Sequence, residues 1–160
     1  MDIDLIVRIL AQTACASFIA VAFAMLFQVP FKLLPLVALG GAIVRFSRTL
    51  LFEGFHTEIV VATFIATIVM SMMFIFISPK INVPRQVFCV ASIISLIPGM
   101  DAYSCLIGLS HLIDATPSEI TPLCYEILHH GMRCFSIMLA ISFGIAIPPI
   151  FFYRNRYRRR

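Results

Sequence analysis

The sequence contains few charged residues. Asp, Glu, Lys and Arg make up 12% of its 160 residues, whereas an average soluble domain holds roughly 25%. Hydrophobic residues make up 61% of the chain, and the mean hydropathy is +1.00. A soluble domain of this length could not bury that much apolar surface. The scarcity of charge therefore excludes a soluble globular protein and indicates an integral membrane protein.

The residue patterns of the common catalytic and metal sites are also missing. The sequence has no Gly-rich phosphate loop, no Ser/His/Asp set and no Cys/His dyad. Its five cysteines are scattered without CxxC or Cys/His metal spacing, which is typical of small packing residues. Glu126-x-x-His129, followed by His130, resembles half of a di-iron motif, but that site needs two such motifs. We therefore expect no enzyme activity, no metal and no cofactor.

Five apolar segments are long enough to cross the membrane as helices, since about 20 residues span a ~30 Å hydrocarbon core. They are residues 5–28, 33–52, 59–78, 86–110 and 129–153. We predict an all-α polytopic protein with one transmembrane domain over residues 1–160, ending in a basic tail at 154–160. The second segment is the weakest, because it holds a proline, two glycines and two arginines. A four-span alternative places it in the membrane interface.

The first segment is interpreted as a mature span. Asp2 and Asp4 precede it in place of lysines, and its apolar core is too long for a signal peptide.

Local patterns predict how the helices pack and where one begins. Small residues repeat every four positions in the first segment and again in the fifth, which favours close helix packing. These residues are Ala16, Ala20 and Ala24, then Ser136, Ala140 and Gly144. Thr116-Pro117-Ser118-Glu119 predicts a helix start, with a capping box and proline at the first helical position.

The loop charges predict the orientation of the chain. With five spans, one side of the membrane carries the basic residues Lys32, Lys80, Arg85, Arg154, Arg156, Arg158, Arg159 and Arg160. The other side carries the acidic residues Asp2, Asp4, Glu53, Glu58, Asp114, Glu119 and Glu126. An excess of lysine and arginine marks the cytoplasm. We therefore predict an external N-terminus and a cytoplasmic C-terminus, and the four-span alternative separates the charges less well.

Five charged residues remain inside the predicted spans: Arg8, Arg45, Arg48, Asp101 and Arg133. Arg8 and Arg133 lie near the outer surface and are interpreted as anchors, paired with Asp4 and Glu126. At ~1.5 Å per helical residue, Arg45 and Arg48 lie roughly 18 and 22 Å from the inner boundary, and Asp101 about 22 Å. Charged residues at this depth are costly and are candidates for function.

Two interpretations of these deep charges stay open. In the first, Arg48 and Asp101 form a buried ion pair that holds the second and fourth helices together. In the second, Arg45 and Arg48 form a basic site for a translocating anion, and Asp101 acts as a gate or proton carrier.

The segment "SLIPGMDAYSCLIG" predicts a broken fourth helix. Pro98 removes a backbone donor and Gly99 relaxes the chain. Broken backbone is tolerated at membrane depth where it is buried in protein or lines a watery cavity. In transporters a half-helix that begins inside the membrane points its N–H groups at an anionic substrate. Asp101 is placed to act as the N-cap of this half-helix, and a simple proline kink is the alternative.

Four stretches of the chain resemble the threonine/serine exporter family. They are "FAMLFQVP", "FSRTLLFEGF", "VFCVASIISLIPGMDAY" and "ISFGIAIPPIFFYRNR". The chain is most similar to the short all-membrane members, the small subunit of a two-component bacterial exporter credited with succinate efflux. The positions that match the family pattern are Pro30, Gly41, Arg48, Pro98, Gly99 and Tyr103. Asp101 departs from that pattern, because members more often have a small residue such as serine there.

The resemblance implies a multi-pass protein of the bacterial inner membrane that works with a larger membrane subunit of the same family, in a hetero-oligomer. We expect a two-component secondary exporter of small carboxylates such as succinate. The alternatives are threonine/serine-type amino-acid export, or a structural subunit without a transport site of its own. The candidate substrate-binding or translocation residues are Arg45, Arg48, Pro98, Gly99, Asp101 and Tyr103. The arginine tail directly follows a span, so we expect it to bind anionic lipid and not nucleic acid.

Overall fold

The computed structural model describes residues 3–81, 85–116 and 118–157, and within these ranges it contains helices and no strands. The α-helices are α1 (Ile3–Leu26), α2 (Leu34–Thr49), α3 (Ile59–Ile81), α4 (Arg85–Ile93), α5 (Gly99–Ile113) and α6 (Ile120–Tyr157). Short 3₁₀ turns occupy Phe31–Leu33 and Ile94–Leu96, and a π-helical turn occupies Leu50–Gly54. The predicted all-α fold is confirmed.

The described helices supply four or five candidate membrane spans. Four are long and apolar enough on their own: Ile6–Leu26, Phe31–Gly54, Ile59–Ser78 and Ile120–Phe152. A fifth is a bent pair, Arg85–Leu96 followed by Gly99–Ile113. This result confirms the prediction of about five membrane helices with a broken fourth. The predicted orientation of the chain stays a prediction.

The first span ends in a defined C-terminal cap. Gln28 adopts the left-handed conformation with a φ of 57°, and its N–H donates to the carbonyl of Met25 at 3.0 Å. The N–H of Val29 donates to the carbonyl of Ala24 at 2.9 Å. This pair of bonds is the Schellman arrangement, which satisfies two carbonyls at the helix end. Pro30 follows and cannot continue the helix.

The chain forms two compact units. The larger unit comprises Met1–Leu96 and Ala140–Arg160, and the smaller unit comprises Ile97–Leu139. Helix α6 therefore contributes its first part to the smaller unit and its last part to the larger unit.

In the larger unit, the small residues of α1 pack against α2. Ala16, Ala20 and Ala24 are buried. A Cβ atom on Gly41 would lie 2.7 Å from the Cβ of Ala20 and 3.0 Å from the carbonyl oxygen of Ala16. The glycine therefore lets the two backbones approach closely, as the four-residue repeat predicts.

The same unit packs α3 against the last part of α6. A Cβ atom on Gly144 would collide with the side chain of Thr67 and would lie 3.1 Å from the carbonyl oxygen of Phe64. Phe74 of α3 and Phe88 of α4 are fully buried, and their rings stack with centroids 5.4 Å apart. These contacts fix α4 against α3, and α4 leads directly to the helix break.

A proline inside α6 leaves one backbone carbonyl without its helical hydrogen-bond donor, and side chains of two other helices donate to it instead. Pro149 has no N–H, so the carbonyl of Ile145, four residues earlier, lacks its helical donor. The hydroxyl of Ser71 donates to this carbonyl at 3.2 Å. Arg85 Nη1 lies 3.5 Å from the same oxygen and 3.3 Å from Ser71 Oγ. Side chains of α3 and α4 thus replace the donor that the proline removes.

In the smaller unit, α5 packs against the first part of α6. A Cβ atom on Gly108 would lie 2.6 Å from Ile127 Cγ1, and one on Gly131 would lie 3.3 Å from Cys105 Sγ. The helix axes can approach closely at both positions because glycine has no side chain.

The turn before α6 partly matches the predicted capping box. The Glu119 carboxylate accepts a bond from the Thr116 N–H at 3.1 Å and a second from the Thr116 hydroxyl at 2.7 Å. These two bonds lower the pKa of Glu119, the hydroxyl bond more strongly. In the usual capping box the hydroxyl would instead accept a backbone N–H. Pro117 lies outside the described residues, so its predicted place at the helix start stays a prediction.

Candidate functional site

The fourth predicted helix is interrupted between Leu96 and Gly99. Helix α4 passes into the 3₁₀ turn Ile94–Leu96, and α5 begins at Gly99 with Pro98 as its N-cap. The N–H of Gly99 donates to the carbonyl of Ile97 at 2.9 Å, whereas in a continuous helix it would donate to Ser95. The predicted break is confirmed, and it is more than the simple kink given as the alternative.

Two arginines of α2 bind the carbonyls at the end of the interrupted helix. Arg45 Nη1 donates to the carbonyl oxygen of Ser95 at 3.3 Å, and Arg48 Nη1 donates to that of Leu96 at 3.2 Å. Because the arginines are three residues apart, they share one face of α2. The last carbonyls of a helix lack intrahelical donors and carry the negative end of its dipole. The guanidinium groups supply both the donors and the compensating charge.

Gln12 of α1 completes this group, which we call the arginine cluster: Gln12, Arg45, Arg48, Thr49 and the carbonyls of Ser95 and Leu96. Arg45 Nη2 donates to Gln12 Oε1 at 3.0 Å. The buried Thr49 hydroxyl donates to the same oxygen at 3.2 Å. Gln12 was not among the predicted site residues. Its amide group inside a long apolar span was the feature that marked it.

Two further polar atoms in the larger unit are buried without a hydrogen-bond partner among the described residues. They are Ser95 Oγ and Glu53 Oε2. Glu53 lies in the π-helical turn that follows α2, and such turns occur often at functional sites. Buried polar atoms normally have partners, so an exception calls for an explanation. Ser95 is also the residue whose carbonyl binds Arg45, so the arginine cluster contains an unused hydroxyl group.

Asp101 is not the N-cap of α5, and that prediction was wrong. Pro98 is the N-cap and no side chain bonds the helix start, so Asp101 lies one turn into the helix. Two side chains of α6, those of His130 and Arg133, contact its carboxylate there. Asp101 Oδ1 accepts a bond from His130 Nδ1 at 2.9 Å, and Asp101 Oδ2 lies 3.7 Å from Arg133 Nε. We call these three residues the Asp101 cluster.

The structure changes the interpretation of Arg133 and adds His130. Arg133 was predicted to be an outer anchor near Glu126, yet its guanidinium forms an ion pair with Asp101. Counting ~1.5 Å per residue from His129 places Arg133 about 6 Å inside the outer boundary. The estimate for Asp101 is about 8 Å from that boundary in a ~30 Å core. The similar depths of Arg133 and Asp101 could have predicted that these two residues form an ion pair.

The six predicted site residues are divided between the two units. Arg45 and Arg48 belong to the larger unit. Pro98, Gly99, Asp101 and Tyr103 belong to the smaller unit, where the side chain of Tyr103 is exposed. The predicted pairing of Arg48 with Asp101 stays a prediction.

The chemistry of both clusters suits binding of anions. Arginine presents a rigid planar fork of N–H donors that matches a carboxylate.

In the part of the chain that the structure describes, no group of three or more His, Cys, Asp or Glu side chains is arranged to hold a metal ion.

Comparison with known proteins supplies the family. The family model described as "Threonine/Serine exporter, ThrE" matches residues 12–151. No solved structure matches the chain. The matched region includes every residue of the arginine cluster and of the Asp101 cluster, together with the helix break. The chain therefore belongs to the threonine/serine exporter family.

Proposed function

We propose that this chain is one subunit of a two-component secondary exporter in the bacterial inner membrane. Its substrate is a small carboxylate, with a succinate-like dicarboxylate as the first candidate. Its partner is a larger membrane subunit of the same family, and the two act as a hetero-oligomer.

The observation that carries this proposal is the binding of Arg45 and Arg48 to the end of an interrupted helix. Both arginines lie in an apolar candidate span, where a charged side chain costs about 2.5–3.5 kcal/mol at the helix centre on insertion scales. Each of them donates a bond to a neutral backbone carbonyl oxygen at the helix end. A carboxylate oxygen is a stronger acceptor for a guanidinium than a carbonyl is, because the bond is charge-assisted on both sides.

The helix break supports the same conclusion. Interrupted helices in transporters place unpaired backbone groups at the substrate site. Here the break separates Leu96, whose carbonyl binds Arg48, from Gly99, the first residue of α5.

The number of spans supports a partner subunit. Four or five candidate spans are few for a complete carrier. An odd number, as in the five-span topology, also excludes a pair of equal inverted repeats, the arrangement that many secondary transporters use.

Amino-acid export is the second candidate function, and the family description favours it. Threonine and serine carry one carboxylate, which the arginines would bind as they would bind succinate. Their ammonium group would need an acceptor, and Glu53 Oε2 is a buried carboxylate oxygen without a hydrogen-bond partner among the described residues.

Efflux measurements in cells test the proposal. The partner subunit is expressed at a constant level, with or without this chain, and succinate, threonine and serine are measured inside and outside the cells. We expect this chain to lower internal succinate and raise external succinate. A chain that carries Arg8→Gln is the control for a charge change outside both clusters and should support wild-type efflux, because Arg8 is an exposed arginine of α1.

Each alternative result has a distinct meaning. A change in threonine and serine without a change in succinate would replace the dicarboxylate by an amino acid. Unchanged efflux of all three compounds, with loss of the partner from the membrane when this chain is absent, would indicate an assembly subunit. Co-purification of the two subunits at a fixed ratio tests the partnership directly.

A further inference from the structure

The two oxygens of the Asp101 carboxylate contact different side chains of α6. Oδ1 accepts from His130 Nδ1 at 2.9 Å, and Oδ2 lies 3.7 Å from Arg133 Nε. His130 and Arg133 are three residues apart, so both project from one face of the helix. Together they form a two-point receptor for one carboxylate group, and Asp101 fills it.

The contacts of Asp101 are open enough to be exchanged. The side chains of Asp101, His130 and Arg133 keep 16%, 34% and 38% of their surface exposed. The Arg133 contact exceeds hydrogen-bond length, and partly exposed ion pairs of this kind are weak. A carboxylate from outside the chain could therefore compete for the same two donors.

From this geometry we propose that His130 and Arg133 form a binding site for the carboxylate of a small solute, and that Asp101 occupies the site when no solute is bound. Asp101 is then an internal competitor. It gives His130 and Arg133 an acceptor when no solute is bound, and it returns to them when the solute leaves. The inference rests on the proposed function, because it assigns a second carboxylate-binding site to the exported substrate.

We expect substitutions of Asp101 to raise the affinity for a carboxylate solute, and substitutions of His130 or Arg133 to lower it. Asp101→Asn keeps the shape of the side chain but removes the competing charge, so solutes with a carboxylate should bind more tightly. Asp101→Ser should act in the same direction. Arg133→Gln replaces the charged guanidinium by a shorter neutral amide, and His130→Gln replaces the ring Nδ1–H by an amide at the end of a flexible chain. In each case binding should weaken by about tenfold, the usual effect of losing one hydrogen bond to a charged group.

Equilibrium binding to the purified two-subunit complex measures these changes in affinity. Succinate and L-threonine are titrated separately, because both carry a carboxylate and each could be the natural substrate. His129→Gln is the matched control for His130, since His129 is adjacent, its ring centroid lies 5.6 Å from that of His130, and it is not a member of the Asp101 cluster. Arg8→Gln is the matched control for Arg133. Both controls should bind as the wild type does.

The expected result is a lower Kd for at least one probe in both Asp101 variants and a higher Kd in the Arg133 and His130 variants. An unchanged or higher Kd in the Asp101 variants would overturn the proposal. If the Asp101 variants do not assemble, the Arg133→Gln complex decides: an unchanged Kd refutes the site, and a Kd about tenfold higher supports it. A wild-type complex that binds neither probe would also refute it.

Failure of the second binding site can be distinguished from failure of the proposed function by measuring efflux alongside the Kd values. Succinate or amino-acid efflux that depends on this chain, together with unchanged Kd values in the variants, would refute the second site alone. Efflux that does not depend on this chain would refute the proposed function itself.

Discussion

The guanidinium group of Arg48 donates a hydrogen bond to the carbonyl oxygen of Leu96, 3.2 Å away, in the last helical turn before the break. Arg45 makes the equivalent bond to Ser95. The two arginines therefore stabilise the end of a helix that Pro98 interrupts, and this binding offsets part of the cost of placing two charges in an apolar span.

The arginines have a structural role in this state, and the proposed function adds a second one. A guanidinium that binds helix-end carbonyls is already oriented by the protein. It can exchange a neutral acceptor for a carboxylate without first losing side-chain freedom. Preorganisation of this kind lowers the cost of binding a ligand.

The orientation of the chain can be tested with terminal fusions. We predict a cytoplasmic C-terminus, because the basic loop and tail residues fall on one side in the five-span topology. A reporter that is active in the cytoplasm alone should give a signal when fused after Arg160, and no signal when fused before Met1. A silent C-terminal fusion that is fully expressed would rule out the five-span topology with this orientation.

Two glycines should differ sharply when each is changed to alanine. At Gly41 the new methyl group would meet the Ala20 side chain and the Ala16 backbone, so Gly41→Ala should lower the free energy of unfolding by roughly 1–3 kcal/mol. At Gly99 it would meet no atom of the described residues within 4 Å, so Gly99→Ala should stay within about 0.5 kcal/mol of the wild type. Unfolding of the purified protein in detergent measures both. Equal stability of the two variants would contradict the close packing of α1 and α2.

Ser71 replaces the helical donor that Pro149 lacks. We therefore predict that the effects of changing these two residues on stability are coupled. In the wild type, Ser71→Ala should cost about 1 kcal/mol of stability, because the carbonyl of Ile145 loses a hydroxyl donor. In a Pro149→Ala background the same change should cost less, since the alanine restores the N–H that the helix lacks. A double-mutant cycle in detergent measures the difference. The same cost in both backgrounds would show that the hydroxyl and the proline act independently.

The general fold could be predicted from the sequence because membrane helices depend on length and apolar content. The break at Pro98 and Gly99 could also be predicted, since both residues act on the local backbone. The close packing of Ala16 and Ala20 followed from the spacing of small residues, whereas their partner Gly41 was not predicted. Each of these features is determined within one or two turns of helix.

The partners of the charged residues could not be predicted in the same way. Asp101 was expected to cap α5, but the helix begins two residues earlier at Gly99, so the carboxylate lies beyond the capping position. Its contacts with His130 and Arg133 join residues about 30 positions apart. Depth estimates assign such residues to a level of the membrane, and several charges share one level. The rotation of each helix about its axis, which selects the partner, depends on packing that the sequence does not display.

The requirement for a planar fork at position 48 distinguishes a transport role from a structural one. Lysine keeps the positive charge and can still donate to the Leu96 carbonyl, but it cannot bind a carboxylate through two parallel bonds. Arg48→Lys should therefore preserve the membrane level and the association with the partner subunit. Arg48→Ala should abolish export. If Arg48→Ala combined with Asp101→Ala restored full export, the role of Arg48 would be structural.

The most direct test is the rate of succinate export by cells that carry Arg48→Lys, compared with wild-type cells at equal membrane levels of both subunits. Threonine and serine are measured in parallel, and Arg8→Lys is the matched control. We predict that export of the substrate falls about tenfold in Arg48→Lys, the effect of losing one charge-assisted hydrogen bond, and that Arg8→Lys has no effect. Export at the wild-type rate in Arg48→Lys would contradict the assignment of this arginine to the substrate site.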